Sequence, residues 1–266
     1  MRLLVSVLSG HEADAALAGG ADIIDAKNPA SGPLGAVSIP VLFDICRVTP
    51  TAHLVTAALG DAEDEGAIEE MARAYAGTNA GLIKVGFAGT SSIERTVSLL
   101  KAAVRGAAAG SGNRCGVVAV AYADAHVVKS LIPGALTDAA VTAGARGVLL
   151  DTADKHGPGL RDLVSHAELS AWIAGAHQAG LLVAVAGRLQ AADLRFVRDA
   201  GADIAGVRGA ACEGGRTGRV TAERVRALQI LCGSTAGPDR ATRHRPTGYS
   251  DSLAAPGVPF RPSVHG

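Results

Sequence analysis

The sequence has few aromatic residues, few cysteines and no excess of charge of either sign. Aromatic residues make up 3% of the 266 residues, and 25 basic side chains balance 25 acidic ones. Stacking of nucleic-acid bases on aromatic rings and attraction of polyanions to a basic surface are both weakly supported by such a composition. The shortages therefore disfavour nucleic acid and an anionic membrane surface as partners, and they favour a small-molecule ligand.

The four cysteines lie far apart in the chain, with no CxxC motif and no nearby histidine cluster; they are Cys46, Cys115, Cys212 and Cys232. This spacing predicts buried free thiols rather than a zinc or thioredoxin-like site. Long hydrophobic runs are also missing, since no stretch approaches the ~20 apolar residues of a membrane span. The start MRLLVSVLSG does not have the pattern of a signal peptide, so we expect a cytoplasmic protein without a metal.

A recurring unit organises what is present: an alanine-rich helical stretch, a glycine-containing stop and a short run of Val, Ile or Leu. Together with the other apolar runs it predicts eight strands, near residues 2–8, 22–25, 54–59, 82–87, 116–123, 147–151, 181–186 and 203–208. The intervals leave room for a helix in each connection, which favours a parallel sheet. Eight such units predict a (βα)8 TIM barrel.

An open doubly wound sheet is the alternative architecture, but it would need edge strands and usually has fewer units. No G-x-G-x-x-G motif follows the first strand, so a dinucleotide site lacks its signal. Capping-box patterns support the predicted helix starts, at Ser9 with Glu12, Ser91 with Glu94 and Ser165 with Glu168.

The apolar pattern stops near residue 232, and the remaining chain is rich in Pro, Gly and Arg. We therefore divide the sequence into a catalytic barrel, residues 1–233, and a flexible C-terminal tail, residues 234–266. Alternatively, the tail wraps a neighbouring subunit. We also expect a homo-oligomer.

A lysine inside a predicted barrel strand needs a chemical reason. In LIKVGF, the large apolar residues Ile83, Val85 and Phe87 share one parity, which suits the face against the helices. Lys84 has the other parity and is predicted to point into the barrel. Gly86 beside it would leave space for a ligand.

Two further lysines and two aspartates are predicted at the same end of the barrel. Asp25 and Lys27 share a face where the second strand ends, and Asp151 and Lys155 lie where the sixth ends. Any one of these lysines, taken alone, is explained by a salt bridge. Together with Lys84 they favour amine catalysis on a carbonyl, because crowded ammonium groups in a desolvated pocket lower a lysine pKa and carboxylates move protons.

The loops after the seventh and eighth strands are dense in glycine and arginine, where TIM barrels often bind phosphate. Gly187, Gly206 and Gly209 would offer backbone N–H groups, and Arg208 a charged fork. The alternative is that the glycines only form tight turns, with Arg216 and Arg219 as solvated loop charges.

Four segments in combination resemble the (5-formylfuran-3-yl)methyl phosphate synthase family of methanofuran biosynthesis: DAKNP (25–29), GLIKVG (81–86), DTADK (151–155) and GVRGA (206–210). Gly32, Leu34, Gly35 and Ala36 continue the first of them. The resemblance covers about residues 1–232. It implies a TIM barrel that converts two molecules of glyceraldehyde 3-phosphate into 4-(hydroxymethyl)-2-furancarboxaldehyde phosphate, releasing phosphate and water, without a cofactor.

The resemblance also implies roles for individual residues. Lys27 corresponds to the Schiff-base lysine and Lys84 to the proton acceptor, with Asp25, Asp151 and Lys155 in the surrounding catalytic set. Two other hypotheses remain open. One is a different class I aldolase or transaldolase acting on triose phosphates, and the other is a nonenzymatic phosphate-sensing barrel whose lysines bind ligand without forming imines.

Overall fold

The computed structural model describes residues 1–233, in which eight parallel strands close into a barrel in sequence order. The (βα)8 TIM barrel is thereby confirmed. The predicted flexible tail, residues 234–266, lies outside the described residues. The strands are β1 (Arg2–Val7), β2 (Ile23–Ala26), β3 (Leu54–Asp61), β4 (Leu82–Gly86), β5 (Gly116–Tyr122), β6 (Gly147–Asp151), β7 (Leu182–Val185) and β8 (Ile204–Val207).

Helices surround the barrel and fill each connection between strands. They are α1 (Gly10–Ala18), α2 (Ile39–Val48), α3 (Glu65–Ala76), α4 (Ile93–Ser111), α5 (Pro133–Ala143), α6 (Leu160–Leu163), α7 (His166–Gln178), α8 (Asp193–Asp199) and α9 (Ala222–Gly233). After β8, a small antiparallel hairpin of β9 (Cys212–Glu213) and β10 (Arg219–Val220) precedes α9. Among residues 1–233, no helix is both long and apolar enough to cross a membrane.

One of the predicted capping boxes forms completely, and a second forms only in part. Ser165 and Glu168 form a complete capping box, in which each side chain accepts from the other's backbone N–H. At α1, the Ser9 side chain accepts from the backbone N–H of Glu12. The Glu12 carboxylate accepts instead from the backbone N–H of Leu8, 2.8 Å away, and it also forms an ion pair with Arg208.

The predicted cap at Ser91 is wrong by one residue. Helix α4 begins at Ile93, so Ser92 is the N-cap, and its hydroxyl accepts from the backbone N–H of Arg95. Ser92 also donates to the Glu94 carboxylate at 2.8 Å. Two adjacent serines offer the same capping chemistry, and the exact start of the helix selects between them.

The barrel has two apolar layers that follow the strand alternation. Ile83, Val85 and Phe87 pack in the layer between strands and helices, whereas Leu82 packs inside the barrel. Lys84 shares the inward face with Leu82 and is 5% exposed, as its parity predicts. The interior layer below the lysine also contains Leu4, Ile23, Val118, Leu149 and Ile204.

The space beside Gly86 is not available to a ligand, which corrects the sequence-based expectation. A Cβ atom at residue 86 would collide with the carboxylate of Asp61, the hydroxyl of Tyr122 and the side chain of Leu34. Glycine is therefore needed at this position so that three other side chains can meet inside the barrel.

Candidate active site

A cavity of about 300 Å³ opens at the carboxyl ends of the strands. Its lining comes from β1, β2, β4, β6, β7, β8 and the loops that follow them, and it includes every predicted site residue. Leu34, from the loop between β2 and α2, is 2% exposed and packs into the barrel interior with Ala58 and Tyr122. Its side chain also approaches Gly86 at the end of β4.

The first ion pair of the site joins β2 to β4. Lys84 Nζ lies 2.6 Å from Asp25 Oδ1, and both side chains are buried. Asp25 also accepts from the hydroxyls of Ser6 at 2.8 Å and Thr56 at 2.7 Å, its register partners on β1 and β3. Burial alone would raise the pKa of Asp25, but the charges of Lys84 and Lys27 outweigh burial and hold the pKa below its usual value.

The second ion pair lies at the end of β6. Lys155 Nζ is 2.6 Å from Asp151 Oδ1, which also accepts from the backbone N–H of Thr152 at 2.8 Å. Burial would raise the pKa of Asp151, and Lys155 together with Lys27 brings it below its usual value. Both aspartates are therefore carboxylates at neutral pH, each bound to its own lysine.

Asp124 holds the loop that carries Lys155, a role that sequence reasoning missed. Its carboxylate accepts from the backbone N–H groups of Ala153 at 2.7 Å and Asp154 at 2.8 Å. Asp124 is 4% exposed, so these bonds compensate the burial of its charge. The pairing of a buried aspartate in one loop with amides of the next has no local sequence signal.

Lys27 is the third lysine, and it makes no ion pair with any residue of the described chain. Burial, the largest influence, lowers the pKa of Lys27 from 10.5 to about 8. Asp151 and Asp25 oppose this shift, and the charges of Lys84 and Lys155 reinforce it. At neutral pH a larger fraction of Lys27 is therefore a free amine than for an ordinary, solvated lysine.

The predicted glycines line the β7 and β8 side of the cavity. Gly187 has a positive φ of 104°, a conformation that favours glycine. Within the described chain, the backbone N–H groups of Gly187 and Gly209 donate to no protein acceptor. Gly206 lies deeper, within β8, beside Leu4 of β1.

Arg208 also lines the cavity, but its guanidinium is already engaged by the protein. It donates to both oxygens of Glu12, to the carbonyl of Ser6 at 3.0 Å, and to the carbonyls of Arg216 at 3.1 Å and Gly218 at 2.8 Å. These bonds use all five guanidinium N–H groups. The geometry thus gives Arg208 a structural task that differs from the charged fork for phosphate expected from the sequence.

Arg216 differs from the solvated loop charge considered in the sequence analysis. Its guanidinium donates to the carbonyls of Pro29 and Gly32, 2.7 Å away in the latter case. Arg219, which was considered alongside it, is exposed.

Asp61 and Tyr122, the last residues of β3 and β5, form another pair, which the sequence did not reveal. The Tyr122 hydroxyl donates to Asp61 Oδ1 at 2.7 Å, and burial, followed by the Asp61 charge, raises the pKa of Tyr122 so that the phenol stays protonated. The register of β3 against β4 shifts between Ala58 and Asp61, and Gly60 has a φ of 86°. This irregularity turns Asp61 inward, against simple alternation.

Comparison with solved structures agrees with the architecture. KGPDC from Streptococcus mutans aligns with a TM-score of 0.60 at 16% identity, covering 86% of this chain and 96% of that one. A 3-hexulose-6-phosphate synthase aligns with a TM-score of 0.57 at 23% identity, covering 86% of this chain and 99% of that one. At these identities the likeness concerns the fold.

Sequence comparison is more specific. Residues 3–229 match the family model described as 4-HFC-P synthase. The (5-formylfuran-3-yl)methyl phosphate synthase of Methanopyrus kandleri is 42% identical over 219 residues, 82% of this chain and 92% of that protein. Its counterpart in Methanocaldococcus jannaschii is 41% identical over 235 residues, 87% of this chain and all of that protein. The chain therefore belongs to the (5-formylfuran-3-yl)methyl phosphate synthase family.

Proposed function

We propose that this protein condenses two molecules of glyceraldehyde 3-phosphate into 4-(hydroxymethyl)-2-furancarboxaldehyde phosphate through an imine on Lys27. The observation that carries the proposal is the arrangement of the three lysines. Two of them are bound to their own aspartates at 2.6 Å, and Lys27 stands between these pairs without an ion-pair partner in the described chain. Family membership supplies the reaction to which this arrangement is suited.

The first step is attack by the neutral amine of Lys27 on the aldehyde of one triose phosphate. The carbinolamine formed loses water and becomes an imine. Both the depressed pKa of Lys27 and its burial support this step, because a buried amine needs less desolvation before it attacks.

Proton transfers then require groups that hold a proton close to the imine. Protonation of the imine acidifies the adjacent C–H bond, and its deprotonation gives an enamine. We assign these transfers to the Lys84–Asp25 and Lys155–Asp151 pairs, which flank Lys27. Within each pair the proton moves over a 2.6 Å contact, so the lysine can act as acid in one step and base in another.

The phosphates are best placed at the β7 and β8 side of the cavity. Gly187, Gly206 and Gly209 line it, and within the described chain the backbone N–H groups of Gly187 and Gly209 have no protein acceptor. Such amides bind phosphate oxygens without bringing additional charge next to Lys27. Arg208 contributes by holding the loop of Gly209, since its own N–H groups are engaged.

The overall conversion balances without an oxidant. Two trioses supply the six carbons of the product, and the loss of one phosphate and two water molecules accounts for the remaining atoms. Aromatic stabilisation favours the final eliminations, so the protein's main tasks are to position two anions and to move protons.

Glyceraldehyde 3-phosphate alone should therefore give furan absorbance and inorganic phosphate in a one-to-one ratio when the protein is added. Lys101→Arg is a suitable control variant, because Lys101 is exposed on α4 and should leave the rate unchanged. A product that requires a second, different aldehyde would contradict the proposal and indicate another Schiff-base aldolase. Binding of the substrate without phosphate release would instead indicate a sensing barrel.

A further inference from the structure

Arg216 joins two loops that are far apart in sequence. It lies in the β9–β10 hairpin between Glu213 and Arg219, and it reaches the loop between β2 and α2. There its guanidinium donates to the carbonyls of Pro29 and Gly32. Arg216 lines the cavity, and no carboxylate of the described chain forms an ion pair with it.

The loop held by Arg216 is a compact unit. Its ends are joined by a hydrogen bond from the backbone N–H of Asn28 to the carbonyl of Gly35, 2.8 Å long. The Asn28 side chain accepts from the N–H of Ala30 at 3.0 Å, and a Cβ atom on Gly35 would collide with the Asn28 carbonyl. A displacement of this loop would therefore move its two ends together.

Both ends of the loop matter to the cavity. Lys27 directly precedes Asn28, and Leu34, which is buried in the barrel interior with Ala58 and Tyr122, directly precedes Gly35. A shift of this loop would therefore displace both the backbone next to Lys27 and the buried side chain of Leu34.

The β9–β10 hairpin that carries Arg216 is itself held in place by hydrogen bonds. Arg208 donates to the backbone carbonyls of Arg216 at 3.1 Å and Gly218 at 2.8 Å, and the same guanidinium is paired with the buried carboxylate of Glu12. Glu12 also accepts from the N–H of Val220 at 3.4 Å. The backbone is therefore held at Arg216 itself and, further along the hairpin, at Gly218 and Val220.

We propose that Arg216 is a positioning residue that fastens the loop of residues 28–35 and thereby keeps the Lys27 amine desolvated between the two ion pairs. The inference rests on the proposed function of Lys27 as nucleophile. A planar guanidinium suits the task because its fork can donate to two separate carbonyls at once, which a single ammonium does less well.

The test uses the full-length protein and the Arg216→Ala variant. With two charge-assisted hydrogen bonds lost, kcat/KM should fall about 10- to 100-fold. Imine formation, measured at a series of pH values by borohydride trapping of glyceraldehyde 3-phosphate, should be half-maximal near the Lys27 pKa of about 8 in the wild type. In the variant the midpoint should move up towards 10.5, because a hydrated amine is harder to deprotonate.

Two controls separate positioning from a general loss of structure. Added guanidinium should restore both the rate and the midpoint of Arg216→Ala, whereas methylammonium should not. Arg219→Ala removes an exposed arginine from the same hairpin and should behave as wild type. If Arg216→Ala does not fold, Arg216→Lys provides the comparison and should shift the midpoint part of the way.

An unchanged midpoint combined with a raised KM would overturn the inference, since Arg216 would then bind substrate phosphate rather than position the loop. A wild-type protein that forms no imine on Lys27 would be a different result, because it would refute the proposed function itself.

Discussion

Lys27→Arg should abolish furan formation, with kcat reduced by about 10⁴-fold or more, which corresponds to a barrier higher by about 5.4 kcal/mol. Arginine retains the positive charge between the two aspartate–lysine pairs, but its guanidinium does not lose a proton near neutral pH and cannot attack an aldehyde. The substitution therefore removes the nucleophile while it keeps the charge of the site. The initial rate of furan absorbance measures the effect.

The matched control for this substitution is Lys101→Arg, which makes the same chemical change on an exposed face of α4. Both variants should have wild-type circular dichroism, since neither leaves a buried carboxylate without a cation. If Lys27→Arg retained a tenth of the wild-type rate, Lys27 could not be the covalent nucleophile.

Lys84→Arg and Asp151→Asn should reduce turnover by about 10²- to 10⁴-fold, the range for loss of a positioned acid or base. Arginine at position 84 keeps the ion pair with Asp25 and so protects the fold, because an unpaired buried carboxylate costs several kcal/mol. It cannot give up a proton, however, and asparagine at position 151 cannot accept one. A residual rate above about a tenth would exclude proton transfer by the altered residue.

These two variants should also separate imine formation from the later steps. Asp151 raises the pKa of Lys27, so Asp151→Asn should lower that pKa further and allow the imine to form at lower pH. In Lys84→Arg the neighbouring charge is retained, so imine formation should be little changed. Borohydride trapping of the imine should therefore remain efficient in both variants while furan formation is lost. Asp138→Asn, on the exposed face of α5, serves as the control for Asp151→Asn.

The parts of the site that could be predicted are those that depend on strand alternation. Lys84 has the parity of Leu82 and opposes Ile83 and Val85, so its inward direction follows from the sequence alone. Asp25 and Lys27 likewise continue the inward face of Ile23. A parallel barrel then brings such residues to one rim, and for this reason β2, β4 and β6 contribute to a single cavity.

The parts that could not be predicted depend on departures from alternation or on contacts between distant loops. Asp61 faces inward only because β3 contains an irregularity at Gly60, and simple parity places it outside. The sequence predicts Arg208 as a phosphate ligand, because its pairing with Glu12, 196 residues earlier in the chain, can be recognised only in the structure. Arg216 likewise donates to backbone carbonyls, and no pattern of side chains in the sequence predicts such a contact.

The central claim is that Lys27 forms the imine, and mass spectrometry of the trapped protein tests it most directly. Incubation with glyceraldehyde 3-phosphate and borohydride should add one reduced triose phosphate to the peptide that contains Lys27, with none on Lys101. Both aspartate-paired lysines should stay unmodified, because Lys84 and Lys155 each form an ion pair with a carboxylate 2.6 Å away. An adduct found on Lys84 or Lys155, with Lys27 unmodified, would contradict the account.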